Sequence, residues 1–423
     1  MKRLNSSFLY ALALSAALSV GLHIFAEVPA GSNTTVTTVA LQQPLNSGDI
    51  TGVYAKFDAG FNITGGTAQF NSIFEVNGNI DLSTFTLQLD RDLILSNAAS
   101  ITSMGKINAQ NHNLELSATS TALPASGTDA NCYTWDSVNL VLNANTTLNT
   151  CINFTGVSKI SGNGYTLTLG DNGQINIGVD LLDLLRSLNN QQGSSDSDLD
   201  YYPSSSPSLL LENLTIKGLN GTNIHCIEDS SVLAVKNIEW IQDGDFFFDT
   251  GAFDVMLDWK LIGNGYKFAY QTVQTSSIEA HGRMILDRSF TFSYDPGGSQ
   301  LNQLMQSRPL NTGQQINGAG PNSGLRSLLQ FVENTSQLCL NGATLHATST
   351  GLQLTKGQLV VDMKSSLAAE GNDESTGISF GDGASGYNNL NVYILPAATL
   401  SITQGMVVYD ESLIYEDILQ QAN

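Results

Sequence analysis

The sequence predicts an all-β chain whose short strands stack as the rungs of a solenoid, each about 20 to 27 residues long. Three observations carry that expectation: a turn-centred motif that returns along the chain, Gly and Asn at its turns, and apolar residues alternating with Asn, Ser and Thr between them. With 41% hydrophobic residues and only 13% charged, the 423-residue chain has enough apolar material for a large core, in one extended domain or two compact ones.

The motif is clearest in Ser158 to Ile177, SKISGNGYTLTLGDNGQINI, where Ile160 is followed seven and nine positions later by Leu167 and Leu169. The same offsets link Ile80, Leu87 and Leu89; Ile107, Leu114 and Leu116; Leu261, Phe268 and Tyr270; and Leu338, Leu345 and Ala347. A turn pair sits inside each copy, and in three copies it is Asn-Gly: Asn163-Gly164, Asn264-Gly265 and Asn341-Gly342. The copies start at Ile80, Ile107, Ile160, Leu261 and Leu338, so the successive gaps are near one, two, four and three times a period of about 26 residues. That spacing is expected of stacked repeats, each unable to bury its apolar face alone. Asn-Gly between alternating apolar residues is also the strongest hairpin signal, so an antiparallel β-sandwich is the alternative fold.

Elements follow in chain order. Residues 1–26 read as a signal peptide: Lys2 and Arg3, an apolar run from Phe8 to Phe25, then Ala26 before the first acid, Glu27. A retained anchor is the alternative, and no second apolar run of that length follows, so no transmembrane domain is expected in the mature chain. Residues 27–70 are expected to cap the stack, 71–410 to form it, and 411–423 to be a tail or second cap. Two segments break the pattern, at about 179–207 and 295–330. The first opens with helix-like VDLLDLLRSLNNQQ and runs into GSSDSDLDYYPSSSPS; the second is rich in Gly, Gln and Asn. The stretch from Asp295 to Arg326 is expected to be dispensable for folding.

The formal charge of −21 becomes about −23 once Lys2 and Arg3 leave with the signal. Nucleic acid is therefore an unsuitable partner, since phosphate neutralisation needs clustered Lys and Arg. Of the four cysteines, Cys132 and Cys151 are candidates for a disulfide in an oxidising compartment, although sequence alone leaves the connectivity open. Cys226 and Cys339 read as small buried hydrophobes, with no spacing that suggests zinc.

LENLTIKGL from Leu211 and SSVLAVKNIEWI from Ser230 resemble rungs of right-handed parallel β-helix proteins of the pectin-lyase-like kind. The resemblance covers most of residues 70 to 410 and implies fold more firmly than activity. It also implies where catalysis would be sought, because polysaccharide-cleaving relatives use outward carboxylates with a basic residue or calcium. Asp243 and Asp245, followed by His281 and Arg283, are the candidates. The His-Gly and Arg pair resembles a polygalacturonase motif, but Met284 and Ile285 depart from its continuation and its upstream Asn-Thr-Asp element is missing. Phe380 to Asn389, FGDGASGYNN, occurs once and lacks the tandem repeat of a calcium site. Phe85, His112, Tyr165, Tyr266 and Ala343 share one position of the motif and would line a turn corner.

The expected protein is thus exported, to the cell surface, the medium or the periplasm. Its expected role is structural and binding, adhesin-like without a membrane barrel, with a glycan or a host or cell-surface protein as partner and no cofactor or metal. The alternative is a secreted polysaccharide lyase or glycoside hydrolase.

Overall fold

A computed structural model describes residues 91–95, 106–116, 132–178, 208–298, 324–381 and 390–409, together with short strands between 26 and 101. Residues 1–25 of the expected signal peptide, the helix-like segment from Val179, most of the Phe380 to Asn389 stretch and the C-terminal tail lie outside the described residues.

The protein is almost entirely β, and among the described residues every strand pairing is parallel. That excludes the antiparallel sandwich over this region. The ladders resolve into three faces. On face one, Leu93, Leu114, Leu140, Ile160, Leu211, Val235, Val255, Ile278 and Phe331 stack in register. On face two the column runs Leu167, Ile216, Trp240, Leu261, Leu286, Leu340, Val361. Face three begins with Leu87, Ile107, Trp135, Phe154, Ile177 and Cys226, and a further ladder runs Phe246, Phe268, Phe292, Leu345, Leu367. The rungs differ in length, being shorter from Trp135 to its stacked neighbour Phe154 than from Leu261 to Leu286. This is an arrangement consistent with a β-solenoid.

Alternation places every one of those column residues inside. Leu167, Leu169, Phe268, Tyr270, Leu345 and Ala347 are all buried, while Thr166, Thr168 and Lys267 between or beside them are not. Large aromatics fill the middle of the stack. Trp240 meets Trp259 edge-on at 5.5 Å, and Phe268 lies nearly flat against Phe292 at 5.6 Å.

The motif turns out to mark corners rather than one fixed place in a rung. Leu87 of the first copy stacks on Ile107 of the second, and Leu114 of the second shares a column with Ile160 of the third. Likewise Leu167 of the third copy shares a column with Leu261 of the fourth. The first four copies therefore occupy successive corners, while the fifth returns to the corner of the fourth, with Leu345 in the column of Phe268, so the spacing between copies does not measure the rung. At Gly162 to Tyr165 the turn is closed by Tyr165 N–H donating to Gly162 O at 2.8 Å, with Asn163 and Gly164 both at positive φ. Those are the features of a type I′ turn. Yet its flanking strands, Ser158–Ser161 and Thr166–Leu169, do not pair with each other; both pair with Leu209–Gly221 of the next rung. A hairpin turn here folds a parallel corner.

At two steps of the ladder the sequence separation between stacked strands jumps. Ile160 pairs with Leu211, and Leu286 with Leu340, in each case about two ordinary rungs further along the chain. Within the expected insertion 295–330, Asp295 to Gly298 are described and Leu329–Phe331 pairs with Ser276–Ile278 in the face-one ladder. The ends of that span belong to the stack.

Candidate binding edge

The four residues considered for catalysis fall at two different corners. Asp243 and Asp245 lie exposed at the corner from face two to face three, where the register shifts between Leu219 opposite Gln242 and Gly221 opposite Phe246. Asp245 Oδ1 accepts a hydrogen bond from Lys267 N–H at 2.9 Å. His281 sits two rungs on, at the corner from face one to face two, in a left-handed conformation with φ 64°. Asn163, Asn213 and Asn237 hold left-handed backbone at that same corner in earlier rungs, which accounts for a polar residue here without chemistry. Arg283 is engaged by Asp258, with Nε to Oδ1 at 2.6 Å. Arg283 stands at the start of its face-two strand, whereas Asp243, inside the long strand Val232–Phe248, follows the part of it that pairs on face two. About five residues of strand, roughly 16 Å, separate the two corners across the face. The structure does not bring the carboxylate pair to the basic pair.

Other motif residues also separate. Tyr165 and Tyr266 are partly exposed but occupy different corners, and Ala343 is buried. Cys132 and Cys151 form a disulfide between directly stacked strands, beside the register pair Tyr133 and Ile152. Asn176 Nδ2 donates to Asn153 Oδ1 at 2.8 Å and covers the Cys151 sulfur at 3.3 Å. Cys226 is buried as expected of an inward position, and burial pushes its thiol up to about 12. Cys339 is only half-buried because alternation turns it outward on face two, beside the Arg283 column. Its thiol is pushed up to about 11, chiefly by burial, so neither sulfur is a nucleophile near neutral pH. Among the described residues no group of three or more His, Cys, Asp or Glu converges as metal ligands.

The feature that sequence reasoning missed is the corner from face three to face one. Both long segments depart there: 179–207 between Gln174–Ile177 and Leu209–Gly221, and 299–323 between Thr291–Tyr294 and Leu329–Phe331. Between and beyond those departures the corner carries Glu228, Asp229, Asp249, Asp295, Glu370, Asp373 and Glu374. Over these rungs Arg326 is the one Lys or Arg among the described residues of this corner, and its Nη2 donates to Ser379 Oγ at 2.7 Å; Arg91 stands exposed at the same corner of an earlier rung. From Phe248 to Ala369 the adjoining ladder makes four steps, so the carboxylates from Asp249 to Glu370 extend over about 19 Å. Exposed Ile227 and Val273 lie among them.

Local structure fixes the corner. Tyr270 sends its hydroxyl from the core to Gln274 O at 2.6 Å, and Thr272 Oγ1 donates to Gly251 O at 2.6 Å on the preceding rung. His225 Nδ1 lies 3.4 Å from Asp249 Oδ1. Asp373 caps its own turn, accepting from Ser375 Oγ at 2.6 Å and Thr376 N–H at 2.9 Å; these bonds hold its carboxyl below the usual range.

No family model, curated protein or solved structure matches this chain. The pectin-lyase-like resemblance therefore rests on the rung pattern itself. Among the described residues no helix is long and apolar enough to cross a membrane. Chemically, the edge is a fixed row of negative charge with two apolar footholds. Such a row attracts cationic surfaces and repels polyanions at ranges set by the Debye length.

Proposed function

We propose that the chain is an exported, right-handed parallel β-helix that acts as an adhesin-like structural and binding scaffold, and that its acidic edge engages a basic protein surface. The carboxylate row along the corner from face three to face one is the observation that carries this reading. Its charge sign favours a cell-surface protein over an acidic glycan as partner. The signal-like N-terminus and the Cys132–Cys151 disulfide support an oxidising destination outside the cytoplasm. The scaffold supplies rigidity, and the carboxylates of its corner supply recognition.

The test is a binding screen of the full chain against arrays of cell-surface proteins and of neutral and acidic glycans. Capture of basic proteins that weakens with salt and is lost in Asp229→Lys/Asp249→Lys, with the melting temperature unchanged, is the expected result. Binding that is indifferent to both salt and charge reversal would overturn the assignment of this edge. Depolymerisation of pectin-like glycans, abolished in Asp243→Ala, would replace the scaffold reading with the enzymatic one.

A further inference from the structure

Two corners of the stack share the tetrapeptide Gly-Asn-Gly-Tyr, at 162–165 and 263–266, and fold it into the same turn. In both, the asparagine has φ 51° and the following glycine a positive φ, 84° at Gly164 and 92° at Gly265. Tyr N–H closes each turn onto the first glycine's carbonyl at 2.8 Å. Each asparagine donates Nδ2–H to a carbonyl of the preceding rung, Asn163 to Leu142 O at 3.1 Å and Asn264 to Gln242 O at 3.2 Å. Neither Gly164 nor Gly265 has any atom within 4 Å of the place a Cβ would take.

One difference remains. Gly164 N–H donates to Asn213 O of the next rung at 2.8 Å, whereas Gly265 N–H meets no acceptor among the described residues. The reason lies in the rung that follows. Over Gly164 the next corner is the left-handed Asn213, which brings its carbonyl close; over Gly265 it is Arg288-Ser289, whose N–H groups turn away to Asn341 O and Gly342 O. Two other Asn-Gly pairs are held like the first. Gly173 N–H donates to Gly170 O at 2.8 Å, and Gly342 N–H to Ser365 Oγ at 3.1 Å.

We infer that Asn264 is a site of spontaneous deamidation in the folded protein, and that Asn163, Asn172 and Asn341 are protected. The reaction needs the following backbone nitrogen as nucleophile. Gly265 N loses its proton and bonds to Asn264 Cγ, the Cγ–Nδ2 bond breaks, and ammonia leaves carrying a proton. The resulting succinimide adds water at either carbonyl and opens to an aspartate or isoaspartate at position 264. No oxidant or cofactor is consumed. A nitrogen whose N–H is donated to a carbonyl must break that bond before it can deprotonate and swing onto Cγ, while a free one need not. The product adds a negative charge to the corner that already bears Asp243 and Asp245, and the isoaspartate form adds a backbone atom to the turn. The modification is one-way and marks the age of the molecule.

Site-resolved peptide mass spectrometry tests this on the full chain, incubated in mildly alkaline buffer either folded or unfolded in guanidinium. In the folded chain the one-dalton gain at Asn264 should accumulate about five- to tenfold faster than at Asn163, the ratio one net hydrogen bond supplies. In the unfolded chain the two sites, having the same local sequence, should convert at matching rates. Equal rates in the folded chain, or a faster Asn163, would overturn the inference. So would a preference for Asn264 that persists on unfolding, since the bias would then owe nothing to the fold.

Discussion

Tyr270 and Tyr294 lie face to face on consecutive rungs, ring centroids 5.2 Å apart and planes within 8°. Both rings are inside the stack, and both hydroxyls reach out of it to backbone at the corner where face three gives way to face one. Tyr294 Oη donates to Leu325 O at 2.5 Å and accepts from Leu328 N–H at 3.0 Å, tying down the chain as it returns from 299–323.

Removing only the hydroxyl therefore isolates that tie. Tyr294→Phe should destabilise by about 1–3 kcal/mol, the cost of leaving buried polar groups unpaired, and Tyr294→Ala by about 3–5 kcal/mol through the added cavity. Burial raises both phenol pKa values well above the ordinary tyrosine range. A raised folded value means the contribution is complete below the unfolded pKa of about 10 and is lost as pH rises beyond it. Denaturant titrations across that alkaline range should show a steep loss of stability in the parent chain and a shallower one in Tyr294→Phe.

Deletion boundaries follow from the same contacts. Replacing 300–322 with a short Gly-Ser linker should move the melting temperature by only a few degrees, because closure entropy depends weakly on length. Replacing Asp295 to Arg326 should lower it further, since Asp295 accepts from Gln271 Nε2, and Leu325 and Arg326 are bonded into the stack. Equal melting temperatures for the two deletions would contradict this account.

Alternation can be checked at two adjacent residues. Leu167 is inside and Thr168 outside, so Leu167→Asp should cost several kcal/mol by burying an unpaired charge while Thr168→Asp stays within about 0.5 kcal/mol. Chemical denaturation of the two variants measures both. A similar loss at each would mean the strand is registered wrongly.

An acid-side dependence is built into face one. Ser277 Oγ lies 2.8 Å from Asp254 Oδ1 and 2.6 Å from Glu279 Oε1, and its single proton serves one carboxylate at a time. Desolvation first, and then the Glu279 charge, raise the Asp254 pKa, with the Ser277 bond opposing them. The folded value lies above the unfolded one, so this group's contribution is full below the unfolded pKa and declines as pH rises through the folded value. Asp254→Asn should therefore stabilise the protein at neutral pH and flatten that limb of the stability profile. A steeper limb in the variant would reverse the sign assigned to this carboxyl.

Much of this architecture was legible because burial and alternation leave a direct trace: Leu167, Leu169, Phe268 and Leu345 are inward residues that the spacing alone identifies. What the spacing could not say is which corner each copy occupies. Gly-Asn-Gly-Tyr has the same local energetics at Gly162 between faces one and two as at Gly263 between faces two and three. Rungs of unequal length then blur the phase. The same ambiguity let Asp243 and Arg283 look like neighbours one or two rungs apart, although they flank opposite ends of face two. The acidic edge was illegible for a related reason. Its carboxylates on successive rungs are distant in sequence and meet only through stacking, and no short motif records that.

The Cys132–Cys151 bond joins neighbouring rungs, and this changes how the protein carries load. In a parallel stack the covalent chain winds around the axis while the ladder hydrogen bonds run along it. Tension applied end to end is thus borne by hydrogen bonds in series, and it releases chain in increments of one rung. Between the strands at Tyr133–Asp136 and Cys151–Thr155 the force passes instead through a covalent link. That pair of rungs should survive as a folded unit after its neighbours have peeled away, shortening the extension at full stretch until a reductant is added.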